Sequence, residues 1–349
     1  MLRIAPAFVQ EIARARAPED LHRTVKEAIR LEFSTIPPYL TAMLSLRAGA
    51  NREIWNVIHR VVIDEMLHMT IACNILSALG GRPAIADAGF LPQYPGPLPM
   101  SIGDGLIVPL EKFSIDLMKN VFMEIEEPEN PISIPTIALA TETDVRTIGA
   151  FYMQLKATIL ALGDSIFIGD PNRQVVPQSW FGERAFPIHT AADAARAIDI
   201  IVEEGEGTTE SPVDPDGDFA HYYSFEEIFR LRRIAKDTSV PEGFSFSGPA
   251  IPFDASAVWD ITPNQKLTEI DRDSLAGRRA SQFSFVFTKL MRALDKTFNG
   301  SPDGFDSAIG LMFELKLAGQ MLVQLPAIRN GAPTGKNAGP VFEYSDIPV

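Results

Sequence analysis

Three residues are polar where the pattern around them is apolar. Glu32 follows Ile29 by three and precedes Ile36 by four, so it sits on the apolar stripe of its segment. Glu65 follows Val61 and Val62 by four and three, and His68 follows Glu65 by three. Residues three apart on a helix project from one face, so this carboxylate and imidazole point the same way. A buried carboxylate without a partner is costly even after its surroundings relax, so it must be protonated, ion-paired or metal-bound. Hard carboxylate oxygens with one imidazole suit iron or manganese better than a soft metal.

A Glu from one helix beside Glu-x-x-His from its neighbour is half of the ligand pattern of di-iron carboxylate bundles. The other half is irregular. Residues 200–207 read IIVEEGEG, which offers Glu203-x-x-Glu206 in place of a second Glu-x-x-His. Acids are electrostatically disfavoured at a helix C-terminus, which favours a cation there. Gly205 and Gly207 give the chain freedom to turn Glu206 toward a bundle. The alternative is a solvated acidic helix end. For a second imidazole, His22 and His59 are out of phase with the carboxylates. His189 precedes its helix, roughly 25 Å along the axis from Glu206. His221 follows Glu206 by fifteen residues, across a loop long enough to fold back, with Tyr222, Tyr223 and Phe225 available to anchor the return. The alternative for His221 is a loop histidine packed on tyrosines.

Apolar periodicity supplies the elements that must position these groups. Residues 24–48 read as a helix with a kink at Pro37-Pro38, and residues 53–79 as a second one ending at Gly80-Gly81. Residues 82–110 form a Pro/Gly-rich excursion, followed by a short helix over 111–122 and an acidic turn over 124–128. Further helices are predicted over 143–162, with no acid on its apolar face, and over 190–204, with Thr190 as N-cap. The loop 208–219 leads to a helix capped by Ser224 and running to about 234. Residues 241–263 hold a few strands or none. Helices over 281–298 and 306–325 close the chain before an irregular Gly/Pro-rich tail. The expected core helices begin near residues 24, 53, 143 and 190.

The 349 residues, 46% apolar, suffice for a large core. Helices at both ends and no composition break favour a single domain over 1–349, with its core at about 20–235 and closing helices at about 281–326. No run of eighteen apolar residues and no secretory signal is visible, so neither a membrane span nor export is expected. Cys73 is the one cysteine. It excludes disulfides, iron–sulfur clusters and thiolate zinc sites, and makes a reducing cytoplasm the default. A net charge of −14 argues against nucleic acid as a partner. Nothing fixes the oligomeric state, and a homo-oligomer is compatible with the sequence.

The segments 31–40 (LEFSTIPPYL), 64–69 (DEMLHM), 204–207 (EGEG) and 221–226 (HYYSFE) together resemble the iminophenyl-pyruvate dimer synthase family. The likeness extends to 125–128 (IEEP), 148–152 (IGAFY) and the two closing helices, from about residue 20 to 326. Where relatives carry Gln before Gly-Glu-Gly, this chain has Glu204. The resemblance implies a mainly α fold, a ferritin-like four-helix bundle with additional helices and long Pro/Gly-rich loops. Its best-known members, much longer chains, oxidatively couple two imines of aromatic 2-oxo acids in bisindole pigment pathways.

The resulting expectation is a non-haem iron oxidoreductase, mono- or dinuclear, with manganese as the other candidate metal. It would act on a small organic substrate, for instance one derived from an aromatic amino acid. Glu32, Glu65, His68, Glu206 and His221 would hold the metal, with Glu203 as a sixth candidate. No residue is assigned a catalytic role. Tyr39, Tyr152 and Tyr222 are candidates for hydrogen bonds to the ligands or for pocket walls, against plain packing. Residues 82–110 and 208–219 are candidate pocket walls. The alternatives are a non-catalytic iron-binding protein and a pathway scaffold with a vestigial site.

Overall fold

Two helices that are buried on nearly every side run through the middle of the molecule, and all other elements are arranged about them. The computed structural model describes residues 6–87, 89–101, 105–128, 148–207, 211–214 and 217–345. After a short helix α1 (Pro6–Arg14), α2 spans Pro18–Ser45. Pro18 opens α2, where its missing N–H breaks no helical bond. The Asp20 carboxylate accepts from the backbone N–H groups of Arg16 and Ala17 at 2.8 and 3.0 Å. α3 spans Arg52–Ala78 and ends in a Schellman turn. There the Gly81 and Gly80 N–H groups reach the Leu76 and Ser77 carbonyls at 2.8 and 3.0 Å, with Gly80 at φ 80°.

The prolines of α2 do not end it. The helix continues through Pro37 and Pro38 to Ser45. Pro38 has no N–H to offer the Ser34 carbonyl four residues back. The Tyr94 hydroxyl takes that place, donating to the Ser34 carbonyl at 2.6 Å. A residue of the Pro/Gly-rich excursion thus supplies the hydrogen bond that the helix lacks.

α4 is composite: Ile115–Leu117 and Met123–Ile125 are α-helical and Met118–Phe122 between them is a π turn. Ser114 caps it by accepting from the Leu117 N–H at 3.0 Å. It therefore reaches beyond the expected end at residue 122. α5 spans Ile148–Leu162, and the start expected near 143 lies outside the described residues. α6 (Ala191–Glu206) opens with a capping box: Thr190 Oγ1 accepts from the Asp193 N–H and the Asp193 carboxylate from the Thr190 N–H. α7 spans His221–Arg230, so Ser224 lies inside it rather than at its cap. α8 (Leu275–Phe298), capped by Ser274, and α9 (Phe305–Leu322) form the closing hairpin.

Strands are minor. β1 (Ala235–Lys236) pairs with β2 (Phe244–Ser245), and β3 (Pro326–Arg329) with β4 (Ala332–Asn337), both antiparallel. The second pair corrects the expected irregular tail. Asn330 and Gly331, both at positive φ, make the hairpin turn that Asn-Gly favours.

α2 and α3 pack along one another, α5 along α6, and α8 along α9. α6 lies against α3 on one side, while α9 lies against α2 on the other. Gly319 permits that second approach, since a Cβ there would come 2.7 Å from Leu44 Cδ1. One apolar core runs from Ile12 to Phe342. The molecule is mainly helical, as expected. Among the described helices α3 alone is long and apolar enough to cross a membrane, and 89% of its apolar window is buried inside the fold.

Candidate metal centre

Glu32 on α2 and Glu65 and His68 on α3 meet in the interior, all nearly inaccessible to solvent. His68 Nδ1 lies 3.6 Å from Glu32 Oε2 and 4.0 Å from Glu65 Oε1. A second group shares Glu65. His221, the first residue of α7, puts its Nδ1 3.1 Å from Glu65 Oε1 and 3.5 Å from Glu126 Oε2. Within each trio, Glu32–Glu65–His68 and Glu65–Glu126–His221, the three nearest donor atoms lie within 4.8 Å of one another. The two rings stack at 5.5 Å between centroids.

The groups around these trios repeat on both sides. His68 Nε2 faces Glu204 Oε2 at 3.0 Å, and His221 Nε2 faces Asp64 Oδ2 at 3.5 Å. Arg184 joins the two outer carboxylates, donating to Asp64 at 3.0 Å and to Glu204 at 2.8 Å. A carboxylate facing Nε2 holds the proton on that nitrogen and leaves the Nδ1 lone pair free for a cation. Tyr39 donates to Glu126 Oε1 at 2.5 Å, and Tyr152 donates to Glu32 Oε1. Thr35 donates to Glu65 Oε2 at 2.9 Å. Each inner carboxylate is therefore fixed by one hydroxyl, and each imidazole by one outer carboxylate.

Electrostatics show what the cluster lacks. Burial, followed by the charge of Glu126, pushes the Glu65 carboxyl up to about 7. Burial alone would lower His68, but hydrogen bonding to Glu204 and Glu32 raises it to about 10. His221 is raised well above its ordinary range by Asp64, Glu126 and Glu65, against the effect of its own burial. Tyr39 and Tyr152 are raised well above theirs, mainly by burial, so both remain donors. Without a cation, the imidazoles must carry protons to offset the converging carboxylates. Yet neither ring nitrogen of His221, fully buried, has a well-formed hydrogen bond. Buried polar atoms are rarely left so. Hard cations in place of those protons fit the donor set of carboxylates and imidazoles in the two trios.

The sequence-predicted residues fare differently. Glu32, Glu65, His68 and His221 are brought together. Glu206 borders the same small cavity, about 20 Å³, as Glu32, Glu65, His68 and Glu126. Its carboxylate accepts from the Gly149 N–H at 2.6 Å, and a Cβ at Gly149 would come 2.3 Å from Glu206 Oε2. Glu203 is not brought in. It is half-buried beside Asp199 and Lys156, because the inward stripe of α6 runs Ile198, Ile201, Glu204. Tyr39 and Tyr152 bond to carboxylates of the cluster, whereas Tyr222 is half-buried against Tyr223 and near Glu226.

Glu126, Glu204, Asp64 and Arg184 were missed by the sequence reading. Glu204 could have been found, since it continues the spacing Ile198, Ile201 by three. Glu126 follows the buried Phe122 by four, but ending that helix at residue 122 hid the relation. The π turn widens α4 ahead of Glu126, a feature common near functional sites. Nothing in the local sequence marks Arg184.

A ferritin-like family profile matches residues 25–230, which include every residue of the cluster. No curated protein matches the sequence. Among solved structures, a ferritin-like protein from Caulobacter vibrioides superposes with a TM-score of 0.61 at 22% identity, covering 89% of this chain and 97% of that one. That similarity carries the fold. The buried Glu/His groups fit a metal-binding protein, and with the family match over more than half its length, the chain belongs to the ferritin-like family.

Proposed function

We propose that this protein is a non-haem iron oxidoreductase with a dinuclear centre, acting on a small organic substrate. The observation that carries the reading is the Glu65 carboxylate shared by two Glu/His groups whose Nδ1 atoms face inward. Glu32 and His68 would hold one ion and Glu126 and His221 the other, with Glu65 between them. Iron in carboxylate-rich ligation supplies oxidation of organic substrates with oxygen or peroxide as acceptor.

The chain's own groups then have defined tasks. Tyr39, Tyr152 and Thr35 orient the three inner carboxylates, each of which would keep its other oxygen available to a metal. Asp64 and Glu204 orient the imidazoles and raise their basicity, and Arg184 holds both outer carboxylates in place by donating to each. The cavity over the cluster, at about 20 Å³, admits a molecule the size of water or oxygen. A larger substrate must displace its wall, where the Gly149 N–H donates to the Glu206 carboxylate.

The finer reading follows from the resemblance to iminophenyl-pyruvate dimer synthases: the substrate would be an aromatic 2-imino acid, two molecules of which are coupled. Joining two imines through one new carbon–carbon bond releases two electrons and two protons, which oxygen or peroxide accepts. The test is metal analysis and Mössbauer spectroscopy of protein purified without chelator, then oxygen consumption with aromatic 2-imino acids generated in situ. Bound iron with substrate-dependent oxygen uptake is the expected result. Iron without turnover on any organic substrate overturns the oxidoreductase reading in favour of a binding protein, and absence of any metal overturns both.

A further inference from the structure

A second cavity, larger than the one at the acid cluster, lies on the other side of α2 and α3. It measures about 340 Å³, lies between these helices and the closing hairpin α8–α9, and is partly open to solvent. The two sites share backbones but not side chains. Glu32 faces the cluster while Phe33 lines the cavity; Glu65 and His68 face the cluster while Met66 and Met69 line the cavity. Consecutive helical residues point about 100° apart, so each helix serves both sites without a common group.

The walls are almost wholly aliphatic, aromatic and methionine side chains. An apolar space of this size left empty forfeits the dispersion contacts of every side chain around it, so a well-packed core has no reason to keep one. The volume falls in the range of small-molecule sites, roughly 300–1,000 Å³. Polar groups are few: Thr70, whose hydroxyl donates to the Met66 carbonyl, and, about three turns away along α3, His59 and Lys316 at one edge. Lys316 of α9 reaches toward α3, with its Nζ 5.1 Å from the Phe313 ring centre and 5.9 Å from that of Trp55. Among the described residues Lys316 makes no ion pair with any carboxylate, whereas Lys289 on the neighbouring helix is paired with Glu314 at 3.6 Å. His59, stacked on Trp55 at 4.6 Å, lies beside it and is held below its ordinary range by burial and by the Lys316 charge, hence neutral. The edge therefore offers one unpaired positive charge and one neutral imidazole above a deep apolar space.

We propose that this cavity binds a molecule with an extended apolar body and one terminal carboxylate, a fatty-acid-like ligand whose headgroup pairs with Lys316. One cation suits one negative charge, and the depth of apolar wall suits an alkyl or arylalkyl tail. The proposal is independent of the metal centre and of any reaction there.

The test is calorimetric titration of the full chain with the n-alkanoates from octanoate to hexadecanoate and with the matching alkanols. Fluorescence of Trp55 and Trp180, both of which border the cavity, serves as a second readout. Saturable one-to-one binding is expected, tightening about fourfold per added methylene until the cavity is filled. Lys316→Glu should weaken the acids about tenfold and leave the alkanols unchanged. Met312→Trp, which fills the cavity from a half-buried wall position, should abolish binding of both series while the helical circular dichroism persists. If that variant does not fold, Ile63→Trp from the opposite wall repeats the measurement. Chelator-treated and metal-loaded protein should bind alike. No saturable binding, an unchanged acid affinity in Lys316→Glu, or binding that vanishes when the metal is removed overturns the proposal, the last because it would place the carboxylate on the metal.

Discussion

His221 Nδ1 lies 3.1 Å from Glu65 Oε1, and the same oxygen lies 4.0 Å from His68 Nδ1. One carboxylate oxygen thus faces two imidazoles that come from different helices and from distant parts of the chain. The arrangement makes Glu65 unequal to the other acids. Glu65→Ala should abolish binding of both metal ions, while His68→Ala and His221→Ala should each lose about one ion relative to the parent. Metal-to-protein ratios by plasma emission spectroscopy check this, with circular dichroism as control for the fold. Equal ratios in all three variants would show that the sites do not divide at Glu65.

A second outcome separates Glu126, which the sequence did not single out as a ligand, from Glu203, which it did. Glu126→Ala removes a carboxylate held by Tyr39 inside the cluster. It should weaken the metal ion beside His221 by at least about tenfold, since losing even a group that only supports a ligand costs about 10–100-fold. Glu203→Ala removes a half-buried acid outside the cluster and should leave metal affinity within about twofold of the parent. Competition with a metallochromic chelator measures both. A large loss in Glu203→Ala would place that residue at the ions after all.

The pH dependence of stability should differ between the metal-free and the metal-loaded protein. In the metal-free protein, Glu65 titrates near 7 rather than 4.5, and His68 near 10 rather than 6.5. Both folded-state values are raised, so the folded protein holds more protons than the unfolded chain between those limits. That stabilisation is complete below the unfolded values and is lost as pH rises through the folded ones. The Tm of metal-free protein should therefore fall between about pH 5 and pH 10 from these two groups. Cations compete with the same protons, so the stabilisation gained on adding iron or manganese should grow over the same window. Thermal scans with and without metal test it, and parallel profiles would rule it out.

Tyr94→Phe tests the repaired helix. The Ser34 carbonyl, deprived of a helical donor by Pro38, depends on the Tyr94 hydroxyl. Removing that hydroxyl leaves a buried acceptor unsatisfied, at a cost of about 1–3 kcal/mol. The urea midpoint should drop accordingly, and combining Tyr94→Phe with Pro38→Ala, which restores an N–H at the right place, should recover much of the loss. No change in midpoint for Tyr94→Phe would mean that water satisfies the carbonyl.

The sequence alone determined the inward-facing trio. Glu32, Glu65 and His68 lie on long amphipathic stretches, where three- and four-residue spacing fixes which side chains share a face, and polar residues on an apolar face are legible without coordinates. It also determined the mainly helical fold, the termination of α3 at Gly80-Gly81 and the cap at Thr190, because caps and periodicity are local. The shift from Glu203 to Glu204 was within reach, since it needed only the phase of Ile198 and Ile201 carried one turn further. Glu126 was harder, because the π turn over Met118–Phe122 lies just where the apolar stripe would have been extended. What only the tertiary structure decided is the make-up of the second group, in which His221, already a candidate, meets Glu126, which was not one. Glu126 stands at the C-cap of one helix and His221 at the first position of another. At such ends the backbone leaves the periodic path, so direction cannot be counted from spacing. Arg184, which ties Asp64 to Glu204 across two helices, has no local pattern at all. Its role comes from the meeting of segments far apart in the chain, and the packing of α6 on α3 is what brings them together.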